Sequence, residues 1–167
     1  MKNNFKTTLK YAVATFAGAL ILCAATKYIA SWFGVELHDQ NTLELLKSFH
    51  GRKLAMLVAY AVIGAPVVEE LFARGLLFRL PSWFVGWKFH GKFRAAPAVF
   101  AVLSSIVFVA VHYGKANPFP DNAFIGLFYF ALMQCRLYAK TGLIVYPILN
   151  HFLFNCANLA CVMAFGG

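Results

Sequence analysis

Long apolar runs alternate with short polar segments along this chain. Five of the runs are about as long as a helix needs to cross the roughly 30 Å hydrocarbon core of a bilayer. We expect transmembrane helices over residues 11–33, 54–80, 97–113, 122–138 and 143–165. A backbone in lipid must satisfy its own hydrogen bonds, and a helix does so within one segment. The pattern therefore predicts an all-α integral membrane bundle of about five helices.

Prolines, capping residues and a glycine mark the expected bends and ends of these helices. Pro66 lies inside the second apolar run and is expected to kink its helix, and Pro81 is expected to end that helix. Asp121 or Asn122 can cap the fourth helix. Gly142 is expected to break the chain between the fourth and fifth helices.

A polar stretch divides the chain after the first apolar run. We expect an N-terminal transmembrane helix with its polar connecting segment over residues 1–53, and a helical core over residues 54–167. The two parts together form one membrane domain. Basic residues before a first apolar run also occur in signal peptides, but this run is long and no small-residue cleavage site follows it. We therefore favour a retained helix.

The strongly positive charge agrees with a membrane setting. The chain is 61% hydrophobic and 13% charged, with a net charge of +9, whereas a soluble domain is about 25% charged. The basic residues lie in short loops and form no stripe interleaved with aromatic residues, so we expect lipid head groups as partners and no nucleic acid.

Basic residues are distributed unequally between the two sets of helix ends. One set carries Lys2, Lys6, Lys10, Arg79, Lys88, Lys92, Arg94, Arg136 and Lys140. The other set carries Lys27, Lys47, Arg52, Lys53 and Lys115. The positive-inside rule then places the N-terminus in the cytoplasm. A compact chain without an organelle-type presequence favours a bacterial inner (cytoplasmic) membrane.

Two adjacent glutamates, Glu69 and Glu70, lie inside the second apolar run. A charge near the bilayer centre costs several kcal/mol unless it faces a polar interior, so such residues are functional candidates. Glu70 and Arg74 are four residues apart and share one helix face, whereas Glu69 is rotated by about 100°. We interpret Glu70 and Arg74 as an orienting ion pair and Glu69 as a reactive carboxylate. The alternative is one structural cluster of charges that locks helices together.

Histidines and asparagines occur in two further apolar runs. His112 ends the third run, and His151, Asn155 and Asn158 form one stripe on the fifth. Each could be an interfacial residue or an interhelical hydrogen-bonding group. Combined with Glu69, however, they supply the groups that amide hydrolysis needs. A carboxylate and an imidazole can deprotonate water, and a second imidazole and an amide can donate to the oxyanion.

Three short motifs, in this order and at this spacing, resemble the signature of the CPBP family. This family comprises CAAX prenyl endopeptidases and bacteriocin-processing enzymes, and is also called Abi. The resemblance covers about residues 61–160. The motifs are Glu69-Glu70-x-x-x-Arg74, Phe108-x-x-x-His112 and His151-x-x-x-Asn155.

The resemblance implies a membrane-embedded endopeptidase. It implies that Glu69 and His112 activate the water, that His151 and Asn155 stabilise the oxyanion, and that Glu70 and Arg74 support the first motif. The family has been described both as zinc-dependent and as glutamate-type. The chain lacks HExxH or another compact zinc motif. We favour no metal, with zinc on Glu69, His112 and His151 as the alternative.

The expected substrate is a membrane-associated peptide or protein: membrane-anchored, lipid-modified, or similar to a bacteriocin precursor or a sorting tail. Two other functions fit the same polar residues. One is a non-catalytic membrane immunity or peptide-binding protein that uses the same pocket. The other is a small transporter or proton relay, since intramembrane Glu and His suit proton transfer. Five spans without inverted repeats argue against the usual transporter architecture.

Overall fold

The computed structural model describes residues 2–37, 46–88, 95–113 and 121–165. The five principal helices within these ranges follow the chain as α1 (Lys2–Trp32), α2 (51–88), α3 (Ala96–Ala110), α4 (Phe124–Thr141) and α5 (Val145–Phe165). They correspond one to one with the five predicted apolar runs. The prediction of an all-α membrane bundle is confirmed.

The helices differ in how well they suit a membrane crossing. By length and composition, Asn4–Trp32, Gly51–Gly86 and Val145–Phe165 are long and apolar enough to span a bilayer. Helix α3 is a shorter apolar helix, and α4 does not reach the same apolar level. The reason lies in its interior position, because α4 packs against the four other helices and carries buried polar side chains.

Helix α2 is continuous but contains two π-helical segments. It is α-helical over Gly51–Ala59, Ala65–Glu70 and Leu80–Lys88, and π-helical over Tyr60–Gly64 and Leu71–Arg79.

Each π-helical segment of α2 ends two residues before a proline. Near Pro66 the helix therefore changes from π-helical to α-helical winding. The prediction that Pro81 ends the helix is wrong, because helix continues to Lys88. A proline lacks an N–H, and its ring clashes with the preceding turn of a regular α-helix. The wider π-helical turn before Pro81 gives that ring room.

Small residues bring α1 close to α4. A methyl group built on Gly126 would lie 2.6 Å from the Cys23 sulfur and 3.3 Å from the Ala19 carbonyl oxygen. One on Gly18 would lie 2.5 Å from a ring carbon of Tyr129. The two glycines therefore leave the space that α1 and α4 need to approach each other. Small side chains at helix interfaces are typical of membrane proteins.

Hydrogen bonds that involve Asp121 and Gly142 mark the two ends of helix α4. The Asp121 carboxylate accepts the amide N–H of Ala123, directly before α4 begins. At the other end, Gly142 has a φ of 72°, and its amide donates to the Tyr138 carbonyl at 2.8 Å. A left-handed glycine is a common helix terminator. The expected break at this position is confirmed.

Candidate active site

Glu70 and Arg74 form a fully buried ion pair on α2. Arg74 Nε lies 3.1 Å from Glu70 Oε2, and both side chains are 0% exposed. The guanidinium also donates to the Ala131 carbonyl of α4 at 3.1 Å, and its carbon lies 4.4 Å from the centroid of the Phe108 ring. The predicted pair is therefore present, and it ties α2 to α3 and α4.

Glu69 points away from this pair, toward two histidines. Its Oε2 lies 3.8 Å from His112 Nε2 and 3.9 Å from His151 Nε2, and the side chain is 30% exposed. Both separations exceed a direct hydrogen bond. They leave room for a bridging water that contacts the carboxylate and an imidazole.

The two histidines use the same nitrogen to fix their rings. His112 Nδ1 lies 2.7 Å from the Phe108 carbonyl oxygen, which only accepts, so we assign the proton to Nδ1. His151 Nδ1 lies 2.9 Å from Glu70 Oε1. We assign Nδ1 of His151 as the donor, because Glu70 is paired with Arg74 as a carboxylate. Both Nε2 atoms are thereby directed toward Glu69.

Asn155 lies one helical turn after His151 and bridges two helices. Its Nδ2 donates to the Ala61 carbonyl oxygen at 2.8 Å. In the π-helical segment of α2 that carbonyl would accept from the residue five positions on, which is Pro66 and has no N–H. Asn155 thus satisfies a carbonyl that the proline leaves without a helical partner. Its amide nitrogen carries a second hydrogen for another acceptor.

One cavity of about 260 Å³ brings these motifs together. Glu69, His112, His151 and Asn155 line it, together with Asn158. Glu70 and Arg74 lie behind this surface and do not line the cavity. The six residues predicted for the site therefore form one cluster, in which four face the cavity and two support them.

The opposite wall of the cavity comes from α1 and the start of α4. Phe16, Ala19, Leu20 and Cys23 contribute from α1. The Phe16 ring packs edge-on against Phe154 of α5, with 5.9 Å between the ring centroids. The site is thus polar on one side and largely apolar on the other.

The zinc alternative would need Glu69, His112 and His151 as ligands. In a tetrahedral zinc site the zinc–nitrogen and zinc–oxygen bonds are about 2.0–2.2 Å long. The ligand atoms of such a site lie closer together than Glu69 Oε2 lies to His112 Nε2 and His151 Nε2, which are 3.8 and 3.9 Å away. Within the described ranges, no group of three or more His, Cys, Asp or Glu is arranged to hold a metal ion. Metal independence stays a prediction.

Residues 51–157 match the family described as type II CAAX prenyl endopeptidase Rce1-like. The chain belongs to this Rce1-like family. The match confirms the CPBP resemblance and identifies a CAAX-type intramembrane endopeptidase in general. All six predicted site residues lie within the matched part, whereas α1 lies before it. Comparisons with curated proteins and with solved structures give no match.

Two buried amides of this Rce1-like chain were not singled out by the sequence. Gln134 of α4 donates from Nε2 to Glu70 Oε1 at 3.3 Å and to the Pro147 carbonyl at 3.1 Å. Asn150 of α5 donates to Gln134 Oε1 at 2.8 Å. The available indication was their position, because polar amides inside apolar runs tend to join membrane helices.

Ser104 and Ser105 of α3 have hydrogen bonds to backbone carbonyls. Ser104 donates to the Ala73 carbonyl of α2 at 2.7 Å, and Ser105 donates to Ala101 of its own helix at 2.7 Å. Ser105 is fully buried and lies outside the cavity lining. It therefore offers a control position for substitutions in the buried interior.

Proposed function

We propose that this Rce1-like protein hydrolyses a peptide bond with a water activated by Glu69 and His112. The observation that carries the proposal is the placement of Glu69 Oε2 3.8 Å from His112 Nε2 at the surface of one cavity. A water between the two groups can give its proton to the carboxylate while the imidazole orients it.

In the proposed reaction the water oxygen attacks the peptide carbonyl carbon, and Glu69 takes the water proton. The carbonyl oxygen becomes an oxyanion, to which Asn155 can donate its second amide hydrogen. Breaking the C–N bond then releases an amine, which receives the proton held by Glu69. The products are a carboxylic acid and an amine, so both hydrogens of the water are accounted for.

His151 has a more specific role in this proposal. Because Nδ1 is committed to Glu70 at 2.9 Å, His151 can donate from Nε2 to the oxyanion only as an imidazolium. The Glu70 carboxylate holds the ring from behind, as carboxylates behind active-site histidines do. Glu70 and Arg74 therefore support the reaction without facing the cavity.

The proposed substrate is a membrane-associated peptide or protein with a lipid modification, a membrane anchor or a tail like that of a bacteriocin precursor or sorted protein. The apolar wall supplied by α1 supports this choice, since it suits aliphatic groups better than charged ones. We propose a bacterial cytoplasmic membrane as its location, and the unequal distribution of basic residues supports an N-terminus in the cytoplasm.

The test is a comparison of protein termini in host membranes that carry either the wild type or Glu69→Gln at equal expression. We expect specific termini to disappear in the variant, with cleavage lowered by about 10²–10⁴-fold. Ser105→Ala, at a buried position outside the cavity, is the matched control and should keep the termini. Identical termini with a surviving wild-type phenotype would replace catalysis by peptide binding in the same pocket.

Metal independence is tested by exhaustive treatment of the purified protein with a chelator. We expect cleavage to persist, because the proposed water activation uses only Glu69 and His112. Loss of cleavage that zinc alone restores would instead support a zinc site on Glu69, His112 and His151.

A further inference from the structure

A row of buried amides leads from α5 through α4 to the Glu70 carboxylate. Asn150 Nδ2 lies 2.8 Å from Gln134 Oε1, and Gln134 Nε2 lies 3.3 Å from Glu70 Oε1. The same Glu70 oxygen accepts His151 Nδ1 at 2.9 Å. Asn150, Gln134 and Glu70 are each 0% exposed. The amides therefore act on the atom that holds the His151 ring.

The direction of the Gln134 amide is fixed by the Pro147 carbonyl. That carbonyl only accepts, so Gln134 Nε2 must face it at 3.1 Å, and Gln134 Oε1 then accepts from Asn150 Nδ2 at 2.8 Å. A flipped amide would lose both bonds in a buried position, which is costly. Nε2 is thereby held as a donor toward Glu70.

We propose that Gln134 is a positioning residue for His151, with Asn150 holding Gln134 in turn. By donating to Glu70 Oε1, Gln134 fixes the carboxylate oxygen that receives the His151 Nδ1 hydrogen, and so fixes the ring and its tautomer. The proposal rests on the proposed hydrolysis for its effect on rate. Its structural part, the protonated Nδ1 of His151, can be measured independently.

The surroundings of His151 decide how a change at Gln134 is read. The titratable and charged groups that face it are Glu69 at 3.9 Å and Glu70 at 2.9 Å, with Arg74 behind Glu70 and His112 across Glu69. Gln134 contacts Glu70 and none of the others by a hydrogen bond, so its loss acts on His151 through Glu70.

The experiment compares Gln134→Met with Ser105→Ala, both at fully buried positions. We expect Gln134→Met to lower kcat by about 10–100-fold, the range for groups that orient an active-site ligand or histidine. Ser105→Ala should keep the wild-type kcat.

A second variant and a second measurement keep the proposal testable if Gln134→Met folds poorly. Asn150→Leu leaves Gln134 in place but unsupported, and we expect the same changes at smaller size. Nitrogen-15 spectra of histidine-labelled protein, recorded with the His151 ring neutral, should show its proton on Nδ1 in the wild type and a mixture of tautomers in Gln134→Met, whether or not peptide is cleaved.

Two outcomes would overturn the positioning role. One is a wild-type kcat in Gln134→Met, and the other is an unchanged His151 tautomer. Failure of the proposed hydrolysis is a separate result, recognised when Glu69→Gln cleaves as the wild type does while the nitrogen-15 spectra still respond to Gln134.

Discussion

The two walls of the cavity are built on different principles. On one wall, Glu69, His112 and His151 face the cavity, and fully buried charges and amides hold the His151 ring. The other wall comes largely from α1, which presents apolar side chains and lies outside the part matched to the Rce1-like family. The polar wall depends on hydrogen bonds and an ion pair between buried groups, and the apolar wall depends on close helix contact.

This difference shows how one membrane bundle separates chemistry from enclosure. Glu70 and Gln134 each have partners on two or three helices, so removing either residue leaves buried partners unsatisfied. A side chain of α1 makes mainly apolar contacts, so its loss changes shape more than charge. The two walls should therefore respond to substitution in different ways.

The largest expected loss of stability follows from breaking the buried ion pair. Arg74→Met leaves Glu70 without its cation at 0% exposure, and we expect a loss of about 3–5 kcal/mol in the free energy of unfolding. Denaturant titration in mixed micelles measures it. The double variant Arg74→Met/Glu70→Gln should recover much of this loss while remaining inactive. Equal stabilities of the single and double variants would contradict the prediction.

The apolar wall should respond through substrate affinity. Phe16→Ala removes a ring that lines the cavity and packs on Phe154. We expect KM for a bulky apolar substrate to rise about tenfold, with kcat within about twofold. Phe5→Ala is the control, since Phe5 is 57% exposed on the same helix. A lowered kcat at unchanged KM would assign Phe16 to the polar wall instead.

The smallest expected effect concerns the contact between α1 and α4. Gly126→Ala places a methyl group 2.6 Å from the Cys23 sulfur, and we expect a loss of about 1–2 kcal/mol in unfolding free energy. Cys23→Ala in the same chain removes that sulfur and should restore about 1 kcal/mol. Additive losses in the double variant would show that α1 does not pack this closely.

The sequence predicts the polar wall better than the apolar one. Run length was enough to identify the five helices, and the spacing of Glu70 and Arg74 was enough to identify their pair. The prediction that Pro81 ends the second helix was wrong because the preceding π-helical segment has no reliable sequence pattern. Gln134 and Asn150 meet across two helices, and single-sequence periodicity carries no such information.

The α1 wall could not be predicted for a physical reason. In a membrane protein, side chains that face lipid and side chains that line an apolar cavity have the same composition, so Phe16 and the exposed Phe5 look alike in sequence. The helix pairing that separates them involves residues more than one hundred positions apart, such as Ala14 and Tyr129.

The hydrogen bond from Asn155 to the Ala61 carbonyl makes positions 61, 66 and 155 depend on one another. Pro66 creates an acceptor without a helical donor, the π-helical turn presents it, and the asparagine supplies the donor. Replacing Pro66 would give that carbonyl a backbone donor and release the asparagine, so a change at one position alters the effect of changes at the others. In evolutionary terms we expect substitutions at these positions to be epistatic. A relative without the proline no longer needs the asparagine to satisfy the carbonyl. We expect such a relative to tolerate a shorter or non-donating residue at the asparagine position only if other groups stabilise its oxyanion.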